Sequence, residues 1–475
     1  MFARLRGTNG KDRTPDDFSF VDEMEPVTPA DAGTPVGARA VMDGDRAPTF
    51  VASSKFIEIK MSLHEKLLDT INFSAIENMR PEEFRAELDS MIRELLSQVD
   101  TPINSTERVR LASDVIDEVM GLGPIEPLLK DPTVSDILVN THQQVFVERF
   151  GILEETSIRF KDTRHLKRII DKIVSAIGRR IDESSPTVDA RLADGSRVHA
   201  VIPPVAVDGP LMSIRKFAKI PFTMERLIEN GSITEEIAEL LKGIVQSRLQ
   251  VLISGGTGSG KTTMLNAMSN FISNRERIVT IEDAAELQLQ QTHIARMETR
   301  PPNIEGRGEV PQRELVRNAL RMRPDRVIVG EVRGAEAFDM LQAMNTGHDG
   351  SMTTIHANTP RDALSRLEQM IGMTGIDLPM MSMRAQVASA INVVIQLSRL
   401  SDGTRRMVSL QEITGMEGNV ISMQEIFCYR QLGIDNGRVV GEFVATGIRP
   451  KFAEHLETRG IELSANMFAP DRRLG

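Results

Sequence analysis

Residues Val251 to Thr263 read VLISGGTGSGKTT, an apolar run that ends in six small residues, a lysine and two threonines. From Gly255 the pattern is G-x-x-x-x-G-K-T, with Gly255, Gly260, Lys261 and Thr262 at its fixed positions and Gly256, Thr257, Gly258 and Ser259 between them; Thr263 follows. Glycines let successive backbone N–H groups turn inward at dihedral angles that side chains forbid, and so form a concave nest for anionic oxygens. Lys261 adds a cation for β- and γ-phosphates, and Thr262 offers a hydroxyl to Mg2+. A helix starting there adds the positive end of its dipole. The context fits: Gln250 to Ser254 has strand character, and Thr262 to Ile272 has a helical pattern with Met264, Leu265, Met268 and Phe271 on one face. Phosphate binding follows from these residues alone; the work done with it does not, because kinases, GTPases, transport ATPases and secretion motors share this loop.

Further along the chain, apolar strands end in groups suited to that chemistry. Arg277 to Glu282 (RIVTIE) closes on acid and is followed by Asp283 and Glu286, and Asp325 to Glu331 (DRVIVGE) closes on Glu331, followed by Arg333 and Gly334. Carboxylates at the C-terminal edge of parallel strands lie where a doubly wound sheet binds ligands. Thr262, Glu282 and Glu331 are candidate Mg2+ contacts, direct or through water, and the two glutamates compete to orient the attacking water. Ser351 to Ile355 (SMTTI) leads to His356, an imidazole placed to sense a γ-phosphate. His348, in the glycine-rich turn TGHDG, reads as loop-shaping or catalytic with equal weight. ATP hydrolysis with Mg2+ is the expected reaction.

Composition bounds the remainder. The chain has 475 residues, enough for two or three domains, and a formal charge of -10 that argues against strong nucleic-acid binding or a nucleic-acid translocase. Cys428 is the single cysteine, which rules out an intramolecular disulfide framework and a thiolate zinc cluster; a buried small hydrophobe is its expected role. No stretch approaches about eighteen uninterrupted apolar residues, and MFARLRG leads into charge, so neither a membrane span nor a secretory signal is expected.

Residues 1–50, rich in Asp, Glu, Pro and Gly, read as a disordered acidic tail. Residues 51–104 read as a helical module using Ile59, Met61, Leu63, Leu67 and Leu68, then Phe84, Leu88, Met91, Ile92 and Leu95, with a helix starting at Pro81. Residues 105–220 read as an α+β domain: a helix, strands at Asp136 to Asn140, Gln144 to Glu148 and near Glu155 to Phe160, a helix at Asp162 to Ile177, then strands at Ser196 to Ile202 and Leu211 to Arg215. Arg191, Arg197, Arg215 and Lys216 recur across its last strands, where guanidinium groups could reach a triphosphate. Residues 221–232 read as a linker. Residues 233–475 read as a nucleotide domain with C-terminal appendages, in which His293 to Pro311 is a polar loop and the strands after Arg406 are short.

Together these pieces describe an α/β protein: a RecA-like P-loop domain preceded by an α+β domain and a small helical module. GGTGSGKTT, TIEDAAEL, RMRPDRVIVGEVRG and TGHDGSMTTIHANTP resemble the Walker A, Asp-box, Walker B and His-box segments of the type II and type IV secretion ATPase superfamily. With ETRPPNIEGRGEV, RPKFAEHL and GLGPIEPLL, the chain over about residues 57–468 is similar to the CpaF/TadA ATPase of Flp, or tight-adherence, pilus assembly. That resemblance implies a homohexameric motor, cytoplasmic and peripheral at the inner membrane, working on platform proteins. It also implies that Arg191, Arg197 and Arg215 reach nucleotide. A conjugative or effector type IV secretion ATPase is the alternative with the same chemistry.

Overall fold

The computed structural model describes residues 59–60, 62–63, 66–67, 81–98, 103–149, 151–217, 223–302 and 306–474. The expected acidic tail, most of the helical module before Pro81 (including Met61 and Leu68) and the first residues of the linker lie outside the described residues. The helix Pro81–Ser97 begins at the proline that marked it, and it buries Leu88, Ile92 and Leu96, a four-residue spacing on one face. It packs against the helix Ser105–Met120. There the Asn104 side chain accepts from the Glu107 amide at 2.7 Å while Glu107 reaches back to the Asn104 amide at 3.1 Å.

A first sheet contains β1 (Val134–Thr141), β2 (Gln144–Arg149), β3 (Ile152–Glu155), β4 (Thr187–Arg191), β5 (Arg197–Val201) and β6 (Leu211–Arg215), in the order β3-β2-β1-β6-β5-β4. Every pairing is antiparallel. The helix Thr163–Ala176, capped by Asp162, presses Leu166, Ile169, Ile170 and Ile173 onto the apolar face made by Ile137, Val145, Val147, Val198 and Ile214. The third strand lies earlier than expected, because Gly151 at φ +85 turns the chain at once and leaves Phe160 free to pack edge-on against His165. β4 was not anticipated: TVDAR carries too little apolar sequence to stand out, and its pairing with β5 makes it a strand.

The connector between the two sheets is partly helical rather than open, with Thr223 capping the helix Met224–Glu229. The helix Glu235–Gln246 follows, capped by Thr234 and closed before Arg248, which turns left-handed at φ 60. The second sheet is built on β7 (Val251–Gly255), β8 (Ile278–Glu282), β9 (Ile294–Glu298), β10 (Arg326–Val332), β11 (Met352–His356), β12 (Val393–Arg399), β13 (Arg405–Glu417), β14 (Val420–Asp435), β15 (Arg438–Ala445) and β16 (Arg473–Leu474). Its order is β16-β15-β14-β13-β12-β7-β11-β10-β8-β9. β12, β7, β11, β10, β8 and β9 run parallel, and β13 to β16 extend the sheet antiparallel.

Two cores flank this sheet. Val251, Ile253, Met264, Leu265 and Met268 pack on one side, and Leu252, Val329, Ile355, Leu364 and Leu367 on the other. β7 and β8 are buried along their whole length, as continuous apolar strands covered on both faces must be. Three expectations change. The polar stretch from His293 contains edge strand β9, whose partner on one side only leaves its polar residues in solvent. β14 is sixteen residues long, not short, since it is held by β13 and β15 together. Cys428 is half-buried rather than enclosed.

Candidate functional site

The phosphate loop leaves β7 and enters the helix Lys261–Ser269. Gly258 and Gly260 adopt φ +68 and +96, which favour glycine, and a Cβ on Gly255 would lie 2.4 Å from Ser259 Oγ and 2.7 Å from the Leu397 carbonyl. The concavity therefore exists as folded and matches an anionic phosphate group. Ser259 Oγ donates to the Gly256 carbonyl at 2.9 Å, and Lys261 Nζ donates to the same oxygen at 3.0 Å. Burial lowers the Lys261 pKa, with the Glu331 charge opposing that shift. An ammonium held in this way gains from a phosphate anion.

The two glutamates that sequence could not separate occupy different positions. Glu282 is 3% exposed; its Oε2 accepts from the amides of Glu286 and Leu287 at 2.7 and 2.8 Å, and its Oε1 is buried without a protein partner. Burial raises its pKa against those two amides. Glu331 stands at the end of β10 with Oε1 4.0 Å from Lys261 Nζ and Oε2 3.0 Å from Arg333 Nε. Arg333 also reaches Asp283 at 3.2 Å, and burial raises the Asp283 pKa. Thr262 follows Lys261 in the first turn of the loop's helix, and Glu282 Oε1 is a buried carboxylate oxygen that no protein group meets. Among the described residues, no three His, Cys, Asp or Glu side chains form a metal cluster by themselves.

The arginine-bearing sheet faces the same loop. Arg197 and Arg215 line a recess of about 160 Å3 with Thr262, Thr263, Asn266 and Glu286. Arg191, Arg197 and Arg215 line a second recess of about 750 Å3 with Asp283 and Arg333. Each is paired with acid: Arg191 with Glu298 and Arg197 with Glu286 at 2.9 Å, Arg215 with Asp136 at 3.2 Å. His356 is apart from this group. It is the register partner of Gly255, but it lines a separate recess with Asn358, Asp362 and Arg366. His348 Nδ1 donates to the Ala343 carbonyl at 3.2 Å, in its turn.

Sequence reading missed a further pair at the loop. Arg405 Nε donates to the Gly258 carbonyl at 2.8 Å, and both Arg399 and Arg405 approach Glu148 of β2, at 3.7 and 4.0 Å. Burial and the neighbouring Arg399 charge lower the Arg405 pKa. The available signal was two arginines flanking the Ser401-Asp402-Gly403-Thr404 turn, with nothing in their spacing to aim them at the loop.

A glycine nest on a parallel sheet, a lysine buried within it and carboxylates at the adjoining strand ends define a P-loop ATPase. The family model for the type II/IV secretion system protein matches residues 118–450, and the chain belongs to that family. It is 41% identical over 309 residues to a Mycobacterium tuberculosis protein described as "Putative conjugal transfer protein Rv3659c", covering 64% of this chain and 87% of that one. It is 32% identical over 294 residues to the conjugal transfer protein TrbB of Rhizobium radiobacter, covering 61% and 86%. The VirB11 ATPase of the Brucella suis type IV secretion system, solved with sulphate, is 28% identical with a TM-score of 0.33, over 60% of this chain and 94% of that one.

Proposed function

We propose that the chain is a hexameric, Mg2+-dependent ATP-hydrolysing motor that drives assembly of Flp, or tight-adherence, pili at the inner membrane. The observation that carries the motor reading is the shared recess in which Arg197 and Arg215 of one sheet face Thr262 and Thr263 of the other. ATP bound to the loop would draw the guanidinium groups from their carboxylates, so that filling and emptying the site changes how the two sheets are held. Lys261 would compensate phosphate charge, and Mg2+ would neutralise charge on the phosphate oxygens. Glu331, more open than Glu282 and beside Lys261, would orient the water, whereas Glu282 holds the turn at Glu286 and Leu287.

The pilus branch rests on the resemblance carried by ETRPPNIEGRGEV, RPKFAEHL and GLGPIEPLL. The conjugal-transfer names of the relatives favour a second reading, transfer of DNA or effectors. Among the described residues no helix is long and apolar enough to cross a membrane, so attachment to an inner-membrane platform would come through partners. Deleting the gene tests the choice: loss of surface pili and adherence is expected. Intact pili with failed DNA or effector transfer would replace this reading with the second.

A further inference from the structure

Gln396 is a buried amide in an otherwise apolar run, VVIQL, on the strand next to the one that carries the phosphate loop. It is 3% exposed. A carboxamide at that depth costs stability unless its hydrogen bonds are made, so a purely packing position would favour leucine or methionine. Its Nε2 donates to the carbonyls of Ala357 and Asn358, at 3.2 and 3.1 Å. Those carbonyls do not belong to a neighbouring strand. β12 adjoins β7, and β7 adjoins β11, so the side chain passes over β7 to reach the turn that follows His356.

The crossing point is Ser254, which is the register partner of Gln396 on one side and of Ile355 on the other, one residue before Gly255. Two buried polar atoms there lack protein partners: Gln396 Oε1 and Ser254 Oγ. The next residue, Leu397, supplies the carbonyl that would lie 2.7 Å from a Cβ on Gly255, so the same two residues of β12 back the phosphate loop and brace the histidine turn.

We propose that Gln396 is a positioning residue for ATP hydrolysis. Its amide ties the His356–Asn358 turn across the strand that feeds the phosphate loop, so that a change at the loop reaches His356 without slack. The two amide donors fix the carbonyls of the turn, and Gln396 Oε1 and Ser254 Oγ, both buried without protein partners, lie together at the crossing point. This rests on the ATPase motor reading, which the purified parent tests separately: a parent without ATP turnover would sink the motor reading and say nothing of Gln396.

The test compares full-length Gln396→Met, which keeps the volume but lacks donors, with Gln396→Asn, which keeps the amide but withdraws it by one methylene. Each is measured in the parent and in His356→Ala, with kcat, KM for ATP and thermal melting read together. In the parent, either variant is expected to lower kcat about tenfold with KM changed less than about twofold. In His356→Ala, the same change is expected to cost less than about twofold, because the residue through which it acts is already gone. A loss of equal factor in both backgrounds, or unchanged kcat in a folded variant, overturns the proposal. Should Gln396→Met melt at too low a temperature to assay, Gln396→Asn decides by the same two criteria.

Discussion

Lys261 Nζ rests on the Gly256 carbonyl at 3.0 Å and lies 4.0 Å from Glu331, inside a loop whose burial disfavours its charge. A charged group so placed is compensated best by phosphate, so Lys261→Ala is expected to lower ATP turnover about a hundredfold or more. Glu331→Ala is expected to match it, measured as phosphate release by purified protein. Retained turnover in either would remove that side chain from the reaction. Glu282 allows a pH prediction. Burial raises its pKa, so it takes up a proton at higher pH than an exposed glutamate, whose ordinary value is about 4.3. The charged form that accepts from Glu286 and Leu287 is therefore lost as pH falls through the raised value. An acid limb in kcat is expected above the ordinary glutamate range, and Glu282→Gln should abolish that limb while binding of nucleotide persists.

At the scale of elements, the loop depends on what stands behind it. Gly255→Ala would drive a methyl group against the Leu397 carbonyl, a backbone atom that cannot rotate away. About 1–3 kcal/mol of destabilisation is expected, together with weakened nucleotide binding, both readable by melting with and without ADP. The turn after β12 is held by Asp402, which accepts from the Thr404 hydroxyl at 2.6 Å and from the Val439 amide at 2.9 Å. Those bonds hold its pKa down to about 2, with the Thr404 hydroxyl first among the causes. A depressed carboxyl stabilises above its unfolded value of about 3.9 and loses that contribution as pH falls toward about 2. Asp402→Asn should therefore lower stability at neutral pH and reduce the loss on acidification between those values, followed by denaturant melts across pH.

At the scale of the molecule, the ion pairs between the sheets and the loop differ in kind from those inside the nucleotide domain. Arg197–Glu286 is 41% and 30% exposed, and such pairs contribute about 0–1 kcal/mol. Arg197→Ala and Arg215→Ala are therefore expected to leave the melting temperature almost unchanged yet to lower kcat tenfold or more, about 1.4 kcal/mol or above in the barrier. A small kinetic effect would confine both arginines to surface pairing. Arg326 with Glu276 is the contrast: Arg326 is 1% exposed and bonds Glu276 at 2.7 Å as well as the Val245 and Gly350 carbonyls. Removing Glu276 leaves the buried Arg326 without its carboxylate and costs about 3–5 kcal/mol, a loss of folding rather than of catalysis, whereas removing Arg326 leaves Glu276 its 3.1 Å pair with Arg248.

The phosphate loop, the acidic ends of β8 and β10 and the helix start at Pro81 were legible because each is a local device. A glycine nest, an apolar run closing on acid and a proline at the first helical position carry their geometry within a few neighbours. β4 and β9 were not legible, since TVDAR and IARME become strands only through the hydrogen bonds of β5 and β8. The same holds at the site. Sequence alone determined that this chain grips phosphate, and its extended resemblance pointed to secretion motors. Tertiary structure alone decided that Glu282 is buried while Glu331 stands beside Lys261, that Arg405 reaches the loop from β13, and that Gln396 reaches the turn after His356 from β12. Those choices depend on which strands lie side by side, and strand order is set by pairings such as Ile278 with Arg326 and Val251 with Val393, which are far apart in the chain.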